Sequence, residues 1–192
     1  KTFLSVYCAL KLLQSKRVSE IIYVRNPVQS SSIANLGYLK GSIDEKIEPF
    51  AQPLFDKINE LLPKNQIDCL IKEERIKVLP SCLIRGLNFN SVALIVDEIS
   101  NLTKPDILLT LSRVGLFSTI FCIGDNFQSD INGKNGFPWL ISLFNNEDAI
   151  NNGIYYFELK DKLDIVRSDF LKYLMQKVQE ENGKEQEMFL KK

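Results

Sequence analysis

The stretch VALIVDEIS, residues 92–100, decides how the chain is read. A short continuous apolar run is the pattern of a strand buried on both faces, as parallel sheets require. It runs straight into Asp97 and Glu98, and adjacent carboxylates are costly to leave unpaired in a dry core. They fit a strand that ends at a solvated crevice, where ligands of open α/β sheets bind. There one carboxylate can hold a divalent cation while the other orients or deprotonates a water. An acidic loop after a core strand fits the same residues.

Outward from this stretch, apolar runs alternate with helical patterns. Phe3, Leu4, Val6, Tyr7, Leu10 and Leu13 recur at helical spacing. IIYVR, residues 21–25, reads as a strand, followed by a polar, Ser-rich loop. A helical pattern runs from Ser42 to Leu62, with Pro49 and Pro53 marking breaks or starts and Pro63 ending it. A helix or strand near residues 67–71 leads to a strand at residues 75–79. After 92–98, Asn101 is the expected cap of a helix reaching Arg113, with Leu108, Leu109 and Leu111 inward. STIFCIGD, residues 118–125, is a second apolar strand. A short helix at 137–143, a strand IYYFEL at 154–159 and a helix at 168–179 follow. Such alternation predicts a three-layer α/β domain with a largely parallel sheet over residues 1–180, and a charged tail at 181–192.

Composition narrows the chemistry. The 192 residues hold 24 Lys plus Arg against 24 Asp plus Glu, so no global field advertises a polyanion partner. Residues 1–40 are locally basic, with Glu20 their single acid. Histidine is absent, which removes Ser-His-Asp triads, Cys-His pairs and His-ligated zinc. The four cysteines have no metal or disulfide spacing, and three sit in apolar patterns, predicting core thiols in a reducing, cytoplasmic compartment. Neither a membrane span nor a signal peptide is expected.

Three strand ends combine into one candidate site. A helix opening on Lys1-Thr2 can offer backbone N–H groups, an ammonium and a hydroxyl to phosphates and Mg²⁺. A strand ending in Asp-Glu supplies the carboxylate that such a cation needs. A further strand ends GDNFQ, whose amide can sense a γ-phosphate or position water.

The sequence resembles the PhoH-like proteins, P-loop ATPases related to the superfamily 1 helicase core. The likeness covers residues 1–178. It rests on the initial KT, as the end of a GxGKT loop; on LGYLKGSIDEKIEPFAQPLFDKI; on LPSCLIRGLNFNSVALIVDEISNLT; and on LSRVG, GDNFQSD and DIVRS. It implies a RecA-like P-loop NTPase domain that binds ATP and hydrolyses it with Mg²⁺. Thr2 and Asp97 would hold the metal. Lys1, Arg85, Arg113 and Asp125 would contact nucleotide, with Glu98 as base, Gln128 reporting the γ-phosphate and Arg167 as finger. Single-stranded RNA or DNA would be the partner, and a homo-oligomeric ring, a hexamer by family pattern, the assembly. A glycine-rich loop is expected ahead of Lys1. The family's DEAQN stands here as DEISN, and its Arg-Pro as Arg25-Asn26-Pro27, departures that suit a divergent, phage-type member. Two rival readings share the fold: a nucleotide-binding or assembly module without hydrolysis, and a small-molecule kinase.

Overall fold

A computed structural model describes residues 1–26, 43–125, 129–131, 133–159, 168–170, 172–174 and 176–177, with the backbone alone for 43–49. The chain divides into two compact units, Lys1–Leu143 and Phe144–Lys192.

Among the described residues, the first unit is built on four parallel strands in the order β2-β1-β3-β4. These are β1 (Glu20–Arg25), β2 (Ile76–Pro80), β3 (Val92–Asp97) and β4 (Thr119–Cys122). β1 pairs with β2 from Ile21 opposite Ile76, and with β3 from Glu20 opposite Val92 to Arg25 opposite Asp97. Every residue of β3 is buried, as its unbroken apolar run demands. Helix α1 (Thr2–Gln14), α2 (Ile43–Leu61) and α3 (Lys64–Lys72) precede β2. Val6, Ala9 and Leu13 of α1, with Leu54 and Ile58 of α2 and Ile67 of α3, pack on Ile21, Tyr23, Ala93 and Ile95. By the pleat, Ile22, Val24, Leu94 and Val96 take the other face, and all four are buried. Burying an aliphatic side chain of this kind is worth roughly 1.5–3 kcal/mol.

Several sequence expectations need correction. Helix α2 runs unbroken through Pro53, so proline here neither starts nor stops it. Helix α4 (Lys104–Leu111) is capped by Thr103, not Asn101. The Thr103 side chain accepts from the Asp106 N–H, and Asp106 reciprocates to the Thr103 N–H, a capping box with Pro105 in the first turn. Ile107 and Thr110 face inward on α4, and Leu108 lies exposed. Among the described residues β4 is an edge strand, and its residues alternate between half-buried and exposed as the pleat turns successive side chains to opposite faces. All four cysteines are exposed: Cys122 ends β4 opposite Val96, and Cys8 and Cys69 lie on outward helix faces. Residues 154–159 form no strand.

Helix α5 (Phe137–Phe144) closes the first unit. In the second, helix α6 (Glu147–Asn151) is capped by the Asn146 side chain, which accepts from the Ala149 N–H at 2.9 Å. The Tyr155 and Phe157 rings stack at 6.5 Å between centroids. Among the described residues no helix is long and apolar enough to cross a membrane.

Candidate active site at the carboxyl edge of the sheet

Parallel strands bring their carboxyl ends to one edge, and α1 begins at that edge. The first helical residue, Thr2, places its Oγ1 at 3.4 Å from Asp97 Oδ1 and 3.5 Å from Oδ2. Lys1, the residue before the helix, donates from Nζ to Asp125 Oδ2 at 2.8 Å and to the Gly124 carbonyl at 3.1 Å. Three segments widely separated in sequence therefore meet: the start of α1, the end of β3 and the turn after β4.

Asp97 is the buried centre of this group, with 4% of its surface exposed. Its carboxylate is held from two sides. The Tyr23 hydroxyl, two residues short of the end of the neighbouring β1, donates to Oδ2. The backbone N–H of Glu98 donates to Oδ1 at 3.0 Å. Burial, reinforced by the Asp97 charge, holds the Tyr23 hydroxyl protonated well above the usual phenol range, so it remains a donor.

Glu98 sits beside it with φ +52°, in the left-handed region that a residue with a Cβ rarely adopts. Such backbone costs on the order of 1–3 kcal/mol and persists where the surroundings over-determine it. A 3-10 turn, Ile99–Asn101, follows at once, with Ile99 N–H donating to the Ile123 carbonyl at 2.9 Å. The Arg25 guanidinium at the end of β1 stands 3.8 Å from Glu98 Oε1. Burial, and then the Asp97 charge, push the Glu98 carboxyl above its ordinary range, while Arg25 and Lys1 pull the other way.

The loop after β4 is drawn onto the same edge. Gly124 has no room for a side chain: a Cβ would lie 2.7 Å from the Phe137 ring of α5 and 2.9 Å from Ile99 Cγ2. Further on, Ser129 Oγ donates to the Ser100 carbonyl at 2.9 Å, and the Asp130 N–H donates to Asn101 Oδ1 at 2.8 Å.

Lys1, Thr2, Asp97, Glu98 and Asp125 are thus brought together. Arg113 is not. It lies past the far end of α4, where its Nε donates to the Leu109 carbonyl at 3.3 Å and its own carbonyl accepts from the Phe89 N–H, ahead of β3. Arg85 is exposed in the loop between β2 and β3. Gln128 and Arg167 lie outside the described residues. Tyr23, Arg25 and Asn101 were not singled out from sequence as parts of the site. A cavity of about 380 Å³, lined by Tyr7, Leu61, Cys69 and Arg75 among others, shares none of these residues.

The oxygen donors suit Mg²⁺, a hard cation that takes one or two protein ligands and completes its shell with phosphate and water. Thr2 Oγ1 and a buried, pre-oriented Asp97 carboxylate are donors of that kind. Among the described residues no group of three or more acids or cysteines forms an all-protein cage.

Comparison with known proteins gives the family. A model of the PhoH-like proteins matches residues 1–179. The chain belongs to the PhoH-like protein family. It is 31% identical over 153 residues to the PhoH-like protein of Mycobacterium tuberculosis H37Rv, covering 79% of this chain and 43% of that one. It is 28% identical over 184 residues to the PhoH-like protein of Bacillus subtilis 168, covering 95% and 56%. With the PhoH protein of Escherichia coli K12 it shares 30% identity over 133 residues, 68% of this chain and 37% of that one. The chain spans about half the length of these PhoH-like relatives. The parallel α/β sheet is consistent with this P-loop nucleotide-binding family.

Proposed function

We propose that the protein binds ATP with Mg²⁺ and hydrolyses it, coupling turnover to single-stranded RNA or DNA as a homo-oligomeric ring. The observation that carries the reading is the meeting of Thr2 with Asp97, and of Lys1 with Asp125, beside Glu98. Each residue has a distinct part. Lys1 supplies positive charge to the phosphates, and the α1 N-terminus adds backbone N–H groups. Thr2 and Asp97 hold the metal, with Tyr23 and the Glu98 N–H fixing the Asp97 carboxylate in one orientation. Mg²⁺ held there would supply charge neutralisation to the phosphates. Glu98 orients the attacking water and takes its proton on a side-chain oxygen. Its raised pKa makes it a better acceptor, and the Arg25 and Lys1 charges pull against that rise. Gln128 as γ-phosphate reporter and Arg167 as a finger toward a neighbouring subunit's nucleotide complete the proposal; both rest on the family likeness. So do the nucleic-acid partner, the ring and Arg85 as a nucleotide contact.

The test is ATP turnover by the full-length protein, with and without single-stranded RNA or DNA. Turnover that needs Mg²⁺, rises with nucleic acid and falls at least a hundredfold in Glu98→Gln supports the reading. Unchanged turnover in that variant removes Glu98 from the role of base. Tight nucleotide binding without any turnover favours an assembly module instead.

A further inference from the structure

A polar chain runs across the carboxyl edge, tying together the loops that follow all four strands. Ser81, just after β2, donates from Oγ to Asn26 Oδ1 at 2.9 Å. Asn26, just after β1, donates from Nδ2 to the Asn101 carbonyl at 2.6 Å. Asn101, in the turn after β3, holds Asp130 of the loop after β4: Oδ1 accepts the Asp130 N–H at 2.8 Å, and Nδ2 faces Asp130 Oδ2 at 3.5 Å. The links follow the spatial order of the strands, β2-β1-β3-β4, rather than their order in sequence.

Asn101 is the hub of this chain, and only 4% of it is exposed. Its planar amide presents an acceptor and a donor side by side. It thereby meets a backbone N–H and a side-chain carboxylate of the same residue. Aspartate would keep the acceptor and set two carboxylates against each other. Alanine would leave the Asp130 N–H without its buried partner. The adjacent bond from Ser129 Oγ to the Ser100 carbonyl makes the contact a two-residue clamp. On one side, the clamp ends the turn that begins at the left-handed Glu98. On the other, the chain continues to Gly136, whose Cβ position lies 2.6 Å from the Lys104 N, and into α5 with Trp139 beneath the Lys104 ammonium.

We propose that Asn101 is a positioning residue that locks the loop after β4 to the turn carrying Asp97 and Glu98, so that both respond to nucleotide as one unit. The inference rests on the ATPase reading above and adds to it a residue that touches neither nucleotide nor metal. Its consequence is kinetic: losing the clamp misplaces groups needed in the transition state, while the phosphate contacts of Lys1 and Thr2 remain.

The experiment uses the full-length protein as wild type, Asn101→Ala, Asn101→Asp and the double variant Asn101→Asp/Asp130→Asn. ATP kinetics are read beside amide exchange at residue 130. In Asn101→Ala, kcat should fall at least tenfold with KM within twofold of wild type, and the residue 130 amide should exchange faster. Asn101→Asp should lose as much kcat. The double variant, which restores one donor and one acceptor with their places exchanged, should return to within threefold of wild type. Unchanged kcat in Asn101→Ala, or a double variant no better than Asn101→Asp, overturns the proposal. If the wild type itself turns over no ATP, the hydrolysis reading fails. The clamp is then judged by amide exchange and by Trp139 fluorescence, the single tryptophan, on adding ADP. A wild-type fluorescence change lost in Asn101→Ala sustains it, and identical behaviour of the two proteins sinks it.

Discussion

The Tyr23 hydroxyl donates to the buried carboxylate of Asp97 across adjacent parallel strands, so a strand that reads as plain core also orients the acid at the centre of the site. Tyr23→Phe removes that donor and keeps the ring. A hydrogen bond to a charged group contributes about 1.5–3 kcal/mol. The unfolding free energy at neutral pH should drop by about that amount, as measured by urea denaturation, and the Mg²⁺ concentration needed for half-maximal turnover should rise.

Glu98 gives a pH signature. Its carboxyl is raised above the ordinary range by burial and by the Asp97 charge, and only its ionised form accepts a proton from water. The acid limb of kcat/KM should therefore lie above the usual glutamate range, with activity falling as pH falls through it. The stability sign is opposite. A raised folded-state pKa contributes stability below the unfolded value and loses it as pH rises through the folded value. Glu98→Gln abolishes that loss, so it should melt higher than wild type at neutral pH while its turnover collapses.

Arg25 tunes the same limb. Standing 3.8 Å from Glu98 Oε1, it lowers a pKa that burial raises. In Arg25→Met the acid limb of kcat/KM should move further upward in pH. A limb that stays in place would show that another group sets it.

Two glycines carry the close approach of the loop after β4. A Cβ on Gly136 would meet the Lys104 backbone N at 2.6 Å and Cα at 2.8 Å, and backbone cannot swing aside as a flexible side chain can. Overpacking of this kind costs about 1–3 kcal/mol. Gly136→Ala should lower the melting temperature and reduce kcat more than it raises KM. Gly124→Ala, pressed on the Phe137 ring and Ile99, should behave alike in a thermal melt and steady-state assay.

Phe117 provides a contrast away from the site. It has φ +60° and 81% of its surface exposed, so it bears left-handed backbone with little packing in return. Phe117→Gly should raise stability by about 0.5–1 kcal/mol, read by denaturant titration, with turnover unchanged.

Much of this was legible in the chain. VALIV and IIYV are apolar without interruption, and strands covered on both faces need that, so the parallel core followed directly. Lys1, Thr2, Asp97, Glu98 and Asp125 could be grouped because parallel strands deliver their carboxyl ends to one edge. Other features were hidden by physics that composition does not carry. An apolar run cannot distinguish a central strand from an edge, so β4 and its Cys122 looked more buried than they are. Tyr23 reads as core, because its hydroxyl matters only once the register puts it beside Asp97. The pairing of Arg25 with Glu98 likewise needs the alignment of Arg25 with Asp97. Asn101 looked like a helix cap because asparagine is one of the best. The better signal was present in Thr103-Lys104-Pro105-Asp106, where a hydroxyl, a proline and an acid stand at capping-box spacing.

On the proposed ATPase reading, a triphosphate that engages Lys1 meets an ammonium already paired with Asp125. A ligand that recruits the Lys1 ammonium must first outbid a carboxylate already holding it, so part of the attraction is spent on the exchange. On that reading the same carboxylate would reclaim the ammonium once the terminal phosphate has gone and weaken the hold on what is left. Such a site would favour repeated cycling over prolonged retention.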